Sequence, residues 1–186
     1  MLPQGTVSRV YDYYFTAPRY RAEMKRALME FLGDGEMMEY GGALFNEWFL
    51  FDFVLIGGLT PLEEFVTKNP PSLSDASLDL YRHLHENTYS LFEVMAVERK
   101  KGMTLNDART GDRYRVEEDK ATRSLHKGDL FFGRVAKVDD HYELVGADSL
   151  IFKDEDAEEA RAFVSSKRKI TPKEARVWMN GKIRGR

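Results

Sequence analysis

The sequence predicts an α+β protein: an N-terminal helical domain, a small five-stranded β-barrel of SH3/OB-like type, and C-terminal helices. Three observations carry this. Apolar residues recur at helical spacing as far as about residue 88. From Leu91 to Gly146 the chain turns into short strands separated by Gly- and Asp-containing turns. After Phe152 acids precede bases along the chain, the polarity a helix dipole favours. The expected domains are residues 1–89, with an aromatic core segment, 90–148 and 149–186.

Taken in order, Val7, Val10, Tyr11 and Tyr14 share a face of a first helix over 6–15. Pro18 stands near the start of a second helix, where its missing N–H costs little. Tyr20, Met24, Ala27, Leu28 and Phe31 form the stripe of that helix, and Gly33-Asp34-Gly35 stops it. Residues 43–55 are apolar around nearly the whole circumference. Their length favours a buried helix over a strand, which usually runs about 5–6 residues. Gly57-Gly58 ends the segment. Thr60-Pro61-Leu62-Glu63 is a capping box with Pro at the first helical position, and Asn69-Pro70-Pro71 breaks the helix it starts. Ser74 can cap a further helix carrying Leu78, Tyr81, Leu84, His85 and Thr88 on one side.

Strands are expected over 91–98, 103–105, 113–118, 130–138 and 141–145. The turns between them fall at Lys101-Gly102, Thr110-Gly111-Asp112, Lys127-Gly128-Asp129 and Asp139-Asp140. Tyr114 and Val116 alternate with Arg113, Arg115 and Glu117, the period of a half-buried strand. Five strands in about 55 residues favour closure, which protects edges an open sheet exposes. Asp154, Glu155, Asp156, Glu158 and Glu159 open the next helix and Lys167-Arg168-Lys169 close it. Thr171-Pro172-Lys173-Glu174 repeats the capping chemistry for a last helix, which Asn180-Gly181 can end.

Composition bounds the chemistry. The 186 residues include no cysteine, which excludes disulfides, thiolate zinc sites and cysteine nucleophiles. No apolar run reaches the ~18–20 residues of a membrane helix, and no secretory signal is visible, so a cytoplasmic protein is expected. The net charge of −3 hides an asymmetry: residues 167–186 hold eight basic residues and one acid, Glu174. A basic end on an acidic body either meets a polyanion or is attracted to its own chain.

Phe45-Asn-Glu-Trp-Phe-Leu-Phe-Asp-Phe53, followed by Thr60-Pro61-Leu62-Glu63, resembles a group of uncharacterised bacterial proteins in which a helical Glu-Trp-Phe-x-Phe-Asp segment precedes a small β module. Leu91-Phe-Glu-Val94, Thr104-Leu105, Thr110-Gly111, Val116, Gly128-Asp-Leu130 and Arg134-Val135 stand in the order such a module has. The resemblance covers about residues 40–146. Such proteins often carry a SEC-C motif, a zinc site rich in cysteine and histidine, which this chain cannot form. What the resemblance implies is architecture; it brings no activity.

Glu47 and Asp52 are the candidate catalytic carboxylates, with Glu63 or Glu64 as neighbours, because burial raises a carboxyl pKa and suits it to acid–base work. On a helix, however, five residues separate the two by about 140°, so they share no face. Pairing with an arginine or a backbone N–H is the usual use of such acids. His83 and His85 point apart on a helix, and His126 and Asp139-Asp140-His141 read as turn residues, so no metal is expected. No nucleophile elbow, phosphate loop or dinucleotide fingerprint is present, and no cofactor is expected.

The strongest functional signal is electrostatic. Lys167, Arg168, Lys169, Lys173, Arg176, Lys182 and Arg184 surround Trp178 in sequence: cations that can neutralise phosphates beside an indole that can stack on a base. Packing on the protein's own core is the commoner fate of a helical tryptophan. The expected function is therefore non-enzymatic binding or an adaptor role, with protein or nucleic acid as partner and no membrane, through the barrel and the basic C-terminal helix. Phe131 or Phe132 would add to it if they face outward. The alternatives are a carboxylate-dependent hydrolase of a phosphorylated or nucleic-acid substrate, and an oligomer-forming structural protein with the aromatic segment at its interface.

Overall fold

A computed structural model describes residues 3, 5–33, 35, 41–147 and 150–184, with the backbone alone at 147, 183 and 184. The chain is mixed α and β, with seven α-helices and five strands among the described residues. It divides into two compact units: Leu2–His85 together with Pro172–Arg186, and Glu86–Thr171. The expected third segment, 149–186, is thus shared between them.

The helical unit is built from α1 (Thr6–Thr16), a 3-10 turn (Pro18–Tyr20), α2 (Arg21–Leu32), α3 (Gly41–Phe51), α4 (Pro61–Lys68), α5 (Asp75–His83) and α7 (Pro172–Arg184). The aromatic segment is its core. Leu44, Phe45, Trp48, Phe49 and Leu50 of α3 are buried with Phe53 and Leu55 beyond it, against Phe31 of α2 and Tyr14 of α1. That a helix apolar on all sides sits inside its unit follows directly. The Thr60 capping box forms in full: Thr60 Oγ1 accepts from the Glu63 N–H, and Glu63 accepts from the Thr60 N–H. Asn69 then ends α4 in the left-handed region, φ 40°.

Three expectations change here. Leu28, assigned to the apolar stripe of α2, is partly exposed at 38 %. The helix expected to reach Thr88 stops at His83, and Thr88 is already in a strand. Asn180-Gly181 does not end α7, which runs on to Arg184; a glycine inside a helix costs only ~1 kcal/mol.

The strand unit comprises β1 (Asn87–Glu98), β2 (Gly102–Asp107), β3 (Arg113–Glu117), β4 (Leu130–Val138), β5 (His141–Ala147) and α6 (Asp154–Ser165). The strands pair in the closed order β1-β2-β3-β5-β4, with β4 returning to β1. All neighbours are antiparallel except β3 and β5, which run parallel with Val116 opposite Tyr142 and Glu117 opposite Glu143. Phe92, Val94, Met103, Leu105, Val116, Phe131 and Val135 fill the interior. The predicted turns lie where the backbone needs them: Gly111 and Gly128 have φ of 80° and 91°, and Asp139 turns the last hairpin at φ 53°. Phe131 and Phe132 are 1 % and 0 % exposed, so neither offers an outward ring. Phe132 instead meets Phe152 and Phe163, the latter on α6, and Arg161 of α6 pairs with Glu93 of β1 at 2.8 Å.

Candidate nucleic-acid interface

The basic C-terminal residues fall in both units. Lys167, Arg168 and Lys169 follow α6 in the strand unit, whereas Lys173, Arg176, Trp178, Lys182 and Arg184 belong to α7 in the helical unit. Arg176 is 3 % exposed. Its Nη2 donates to the carbonyl oxygens of Phe31 and Leu32 at 2.7 and 3.0 Å, and its guanidinium lies 4.9 Å from the Phe31 ring centre. Lys173 is half-buried, 3.8 Å from Glu30 and 5.7 Å from the Trp48 ring, and Trp178 and Lys182 are half-buried as well. Lys167 lies over Phe163, Arg168 accepts at its carbonyl from Arg109 Nη1, and Arg168 and Lys169 are exposed. The side chain of Arg184 lies outside the described residues. Ala175, Arg176 and Met179 are the buried face of α7, so this helix serves chiefly to complete the helical core.

The candidate carboxylates Glu47 and Asp52 both belong to the helical unit. Glu47 is buried on α3, and Asp52 is half-buried just beyond the helix, its N–H donating to the Trp48 carbonyl. The better-defined buried acid is Glu64, which sequence spacing named only as a neighbour. Its carboxylate accepts from Tyr20 Oη at 2.6 Å and Tyr14 Oη at 3.1 Å, and lies 2.8 Å from Lys68 Nζ. Burial raises its pKa, but the hydrogen bonds from Lys68, Tyr20 and Tyr14 outweigh that and leave it below the ordinary value. A carboxylate so held is an acceptor at the centre of a packed cluster, and burial together with the same charge pushes the Tyr14 phenol up.

Exposed cations do converge on the strand unit, at the turn between β1 and β2. Arg99, Lys100 and Lys101 are consecutive and all exposed. Lys100 adopts φ 63°, and its N–H donates to Thr122 Oγ1 at 2.9 Å, while Lys101 N–H donates to the Glu98 carbonyl at 3.0 Å. Thr122 is buried in the 3-10 turn Ala121–Arg123 between β3 and β4, and donates in turn to the Asp119 carbonyl. The basic turn is therefore tied down by a buried hydroxyl.

A surface cavity opens on each side of this turn. One, of about 350 Å³, is lined among the described residues by Val97, Arg99, Thr122, Arg123, Leu125, His126 and Lys127, none of them a carboxylate. Arg123 is oriented by Asp119, 2.6 Å away. The other, of about 240 Å³, lies along β2 and β3 and takes in Lys101, Thr104 and Arg115 along with Glu98 and Glu117. Thr104 stands opposite Arg115, Asn106 opposite Arg113 and Gly102 opposite Glu117, so the outward face of this strand pair carries two arginines, two neutral hydrogen-bonding side chains and, at one end, the carboxylate of Glu117. The half-buried Tyr114 packs edge-on against Phe92 and Tyr142 within the sheet. Charge density along the chain points to residues 167–186 and passes over Arg99, Lys101, Arg115 and Lys127. The Arg-Lys-Lys run at a predicted turn was the available signal.

A further group of side chains gathers where β3 meets β5. His141 Nε2 lies 3.1 Å from Glu143 Oε1 and 3.5 Å from Glu117 Oε2, and its Nδ1 lies 3.4 Å from Asp140 Oδ1. Burial lowers the imidazole pKa, but hydrogen bonds to Glu143 and Asp140 and the charges of Glu117 and Glu143 more than reverse this.

No helix among the described residues is long and apolar enough to cross a membrane. Comparison with curated proteins and with solved structures gives no match. Comparison with protein families matches residues 8–175, from the first turn of α1 into α7, and on that span the chain belongs to the family of unknown function DUF7986.

Proposed function

We propose that the chain is a non-enzymatic binding protein whose strand unit, a small closed barrel of the OB-like class, holds single-stranded nucleic acid by its phosphates. The observation that carries this reading is the tied basic turn, Arg99-Lys100-Lys101, between two cavities that present Arg123, Lys127 and Arg115. Five-stranded Greek-key barrels of this class use the face of strands 2 and 3 and the loop between strands 1 and 2 for oligonucleotides. Here those positions carry Arg99, Lys100, Lys101, Arg113 and Arg115 with Thr104 and Asn106, and the acids Glu98 and Glu117 at one end. Fold analogy supplies only the location; the charge and its fixed backbone supply the chemistry.

Such a surface neutralises phosphates and has no outward aromatic ring on β4 to stack a base, so binding is sequence-tolerant and strongly salt-dependent. α7 contributes stability to the helical unit, with Arg176 turned inward.

The test is fluorescence anisotropy of labelled single-stranded RNA and DNA with the full chain. Binding at low salt that weakens at least tenfold in Arg99→Glu/Lys101→Glu is expected. An absence of binding at low salt, or binding that the double variant leaves intact, overturns the reading.

A further inference from the structure

We propose that Glu117, His141 and Glu143 form a divalent-metal site on the strand unit, of the class that binds Zn²⁺ through one imidazole nitrogen and two carboxylate oxygens.

The topology places these residues. β5 begins at His141, directly after the Asp139-Asp140 turn, and strand alternation puts His141 and Glu143 on the same face. The parallel β3–β5 register then sets Glu117 directly opposite Glu143. Three ligand-bearing side chains from two strands therefore meet at one point on a rigid sheet. Glu143 is 5 % exposed, His141 is half-buried and Glu117 opens to solvent. The arrangement is a fixed floor with one accessible side, by which an ion can enter.

The distances suit an ion. One ligand atom from each residue lies within 4.8 Å of the other two. Two donors bound to a tetrahedral Zn²⁺ at about 2.0–2.2 Å are about 3.4 Å apart. His141 Nε2 stands 3.1 Å from Glu143 and 3.5 Å from Glu117, so small side-chain rotations bring all three donors to bonding distance. The second observation lies on the far side of the ring. Nδ1 faces the solvent-exposed Asp140 Oδ1 at 3.4 Å, within reach of the outer carboxylate that commonly orients a metal-bound histidine so that Nε2 ligates.

The donor set selects the ion. A nitrogen with two carboxylates and no thiolate fits borderline divalent ions such as Zn²⁺, whereas Mg²⁺ and Ca²⁺ prefer all-oxygen shells with more ligands. Three protein ligands leave a fourth position for water.

The test uses the full chain, stripped with chelator and titrated with Zn²⁺ against a chromophoric competitor at neutral pH. One equivalent is expected to bind, at least tenfold more weakly in His141→Gln and in Glu117→Gln, with Asp140→Ala weakening it about tenfold. Mg²⁺ and Ca²⁺ at equal concentration are expected not to compete. Circular dichroism of the metal-free variants checks the fold. Should His141→Gln not fold, the exposed Glu117→Gln carries the test through the visible spectrum of bound Co²⁺, whose tetrahedral bands it is expected to abolish. Absence of stoichiometric binding, or binding that Glu117→Gln leaves unchanged because His83, His85 or His126 supplies it, overturns the proposal. The nucleic-acid variants at Arg99 and Lys101 lie outside this ligand set, so the two proposals stand or fall separately.

Discussion

Arg176 donates from Nη2 to the carbonyl oxygen of Phe31 at 2.7 Å, across 145 positions of sequence. The same nitrogen reaches the Leu32 carbonyl, which also accepts from the Gly35 N–H, so one guanidinium bonds two of the last carbonyls of α2. A cation there also meets the negative end of the helix dipole. A residue from the most basic stretch of the chain thus works as a helix cap.

Arg176→Ala removes two charge-assisted hydrogen bonds and takes the side-chain donor from the Phe31 carbonyl, while the Leu32 carbonyl keeps the Gly35 N–H. Each such bond contributes about 1.5–3 kcal/mol, and an expected loss near 3 kcal/mol in the helical unit follows. Both tryptophans of the chain, Trp48 and Trp178, belong to that unit, so their fluorescence in a urea titration reports it selectively. Arg176→Lys keeps the charge and loses the fork, and should recover only part of the stability. A midpoint unchanged by Arg176→Ala would show that α2 is capped by other means.

This residue also marks how far the sequence could be read. The elements were legible wherever a local rule was at work: the Thr60–Glu63 capping box, the all-round apolar α3, and turns at Gly111, Gly128 and Asp139 where the backbone takes positive φ. What was not legible depends on contacts between distant segments. A linear charge count makes Arg176 a surface cation, and only the packing of α7 beside α2 and α3 turns it inward. The candidate sites show the same limit. His141 and Glu143 stand two apart in a strand that the sequence predicts, but Glu117 joins them only through the parallel β3–β5 pairing. Antiparallel hairpins are written in their turns, whereas a parallel neighbour is set by the order in which the whole sheet closes.

Acid should loosen the helical unit through Glu64. Its pKa is below the ordinary value of 4.5 in the folded chain, because the donors Lys68, Tyr20 and Tyr14 overcome the effect of burial. A depressed carboxyl contributes stability that is complete above the unfolded pKa and lost as pH falls through the folded one. Urea midpoints followed by tryptophan fluorescence should therefore drop below about pH 4.5 more steeply in the native chain than in Glu64→Gln, which has no proton to gain. Parallel curves for the two proteins would remove Glu64 from the acid response.

Gly102 begins β2 opposite Glu117, and a β-carbon there would collide with the Val116 carbonyl oxygen. Backbone cannot rotate aside as a side chain can, so Gly102→Ala must part the β2–β3 ladder. Overpacking of this kind costs about 1–3 kcal/mol, and the loss should fall on the strand unit. Hydrogen exchange is expected to quicken at β2 and β3 amides while the tryptophan-reported midpoint stays put. Unchanged exchange in the strands would mean that the ladder absorbs the methyl group elsewhere.

Salt separates the two possible homes of a polyanion. Each phosphate neutralised by a lysine or arginine releases counterions, and the slope of log K against log salt is about −0.7 per contact on a single strand. Reversing Arg99 and Lys101 removes two cations from the tied turn, so the slope should become shallower by about 1.4 as affinity falls. Reversing Lys167 and Lys169, which follow α6 and have no place in the cavity linings at the β1–β2 turn, should leave both slope and affinity within error. Anisotropy titrations at a series of potassium chloride concentrations measure all four constants on one scale. A slope that responds to Lys167 and Lys169 but not to Arg99 and Lys101 would move the interface from the β1–β2 turn to the end of α6. The tie between Lys100 and Thr122 adds a further discrimination. Thr122→Val keeps every cation and removes only the hydroxyl that accepts from the Lys100 N–H, so it should lower affinity while leaving the slope alone. Pre-organisation of the turn, as distinct from its charge, is then read directly from the gap between affinity and slope.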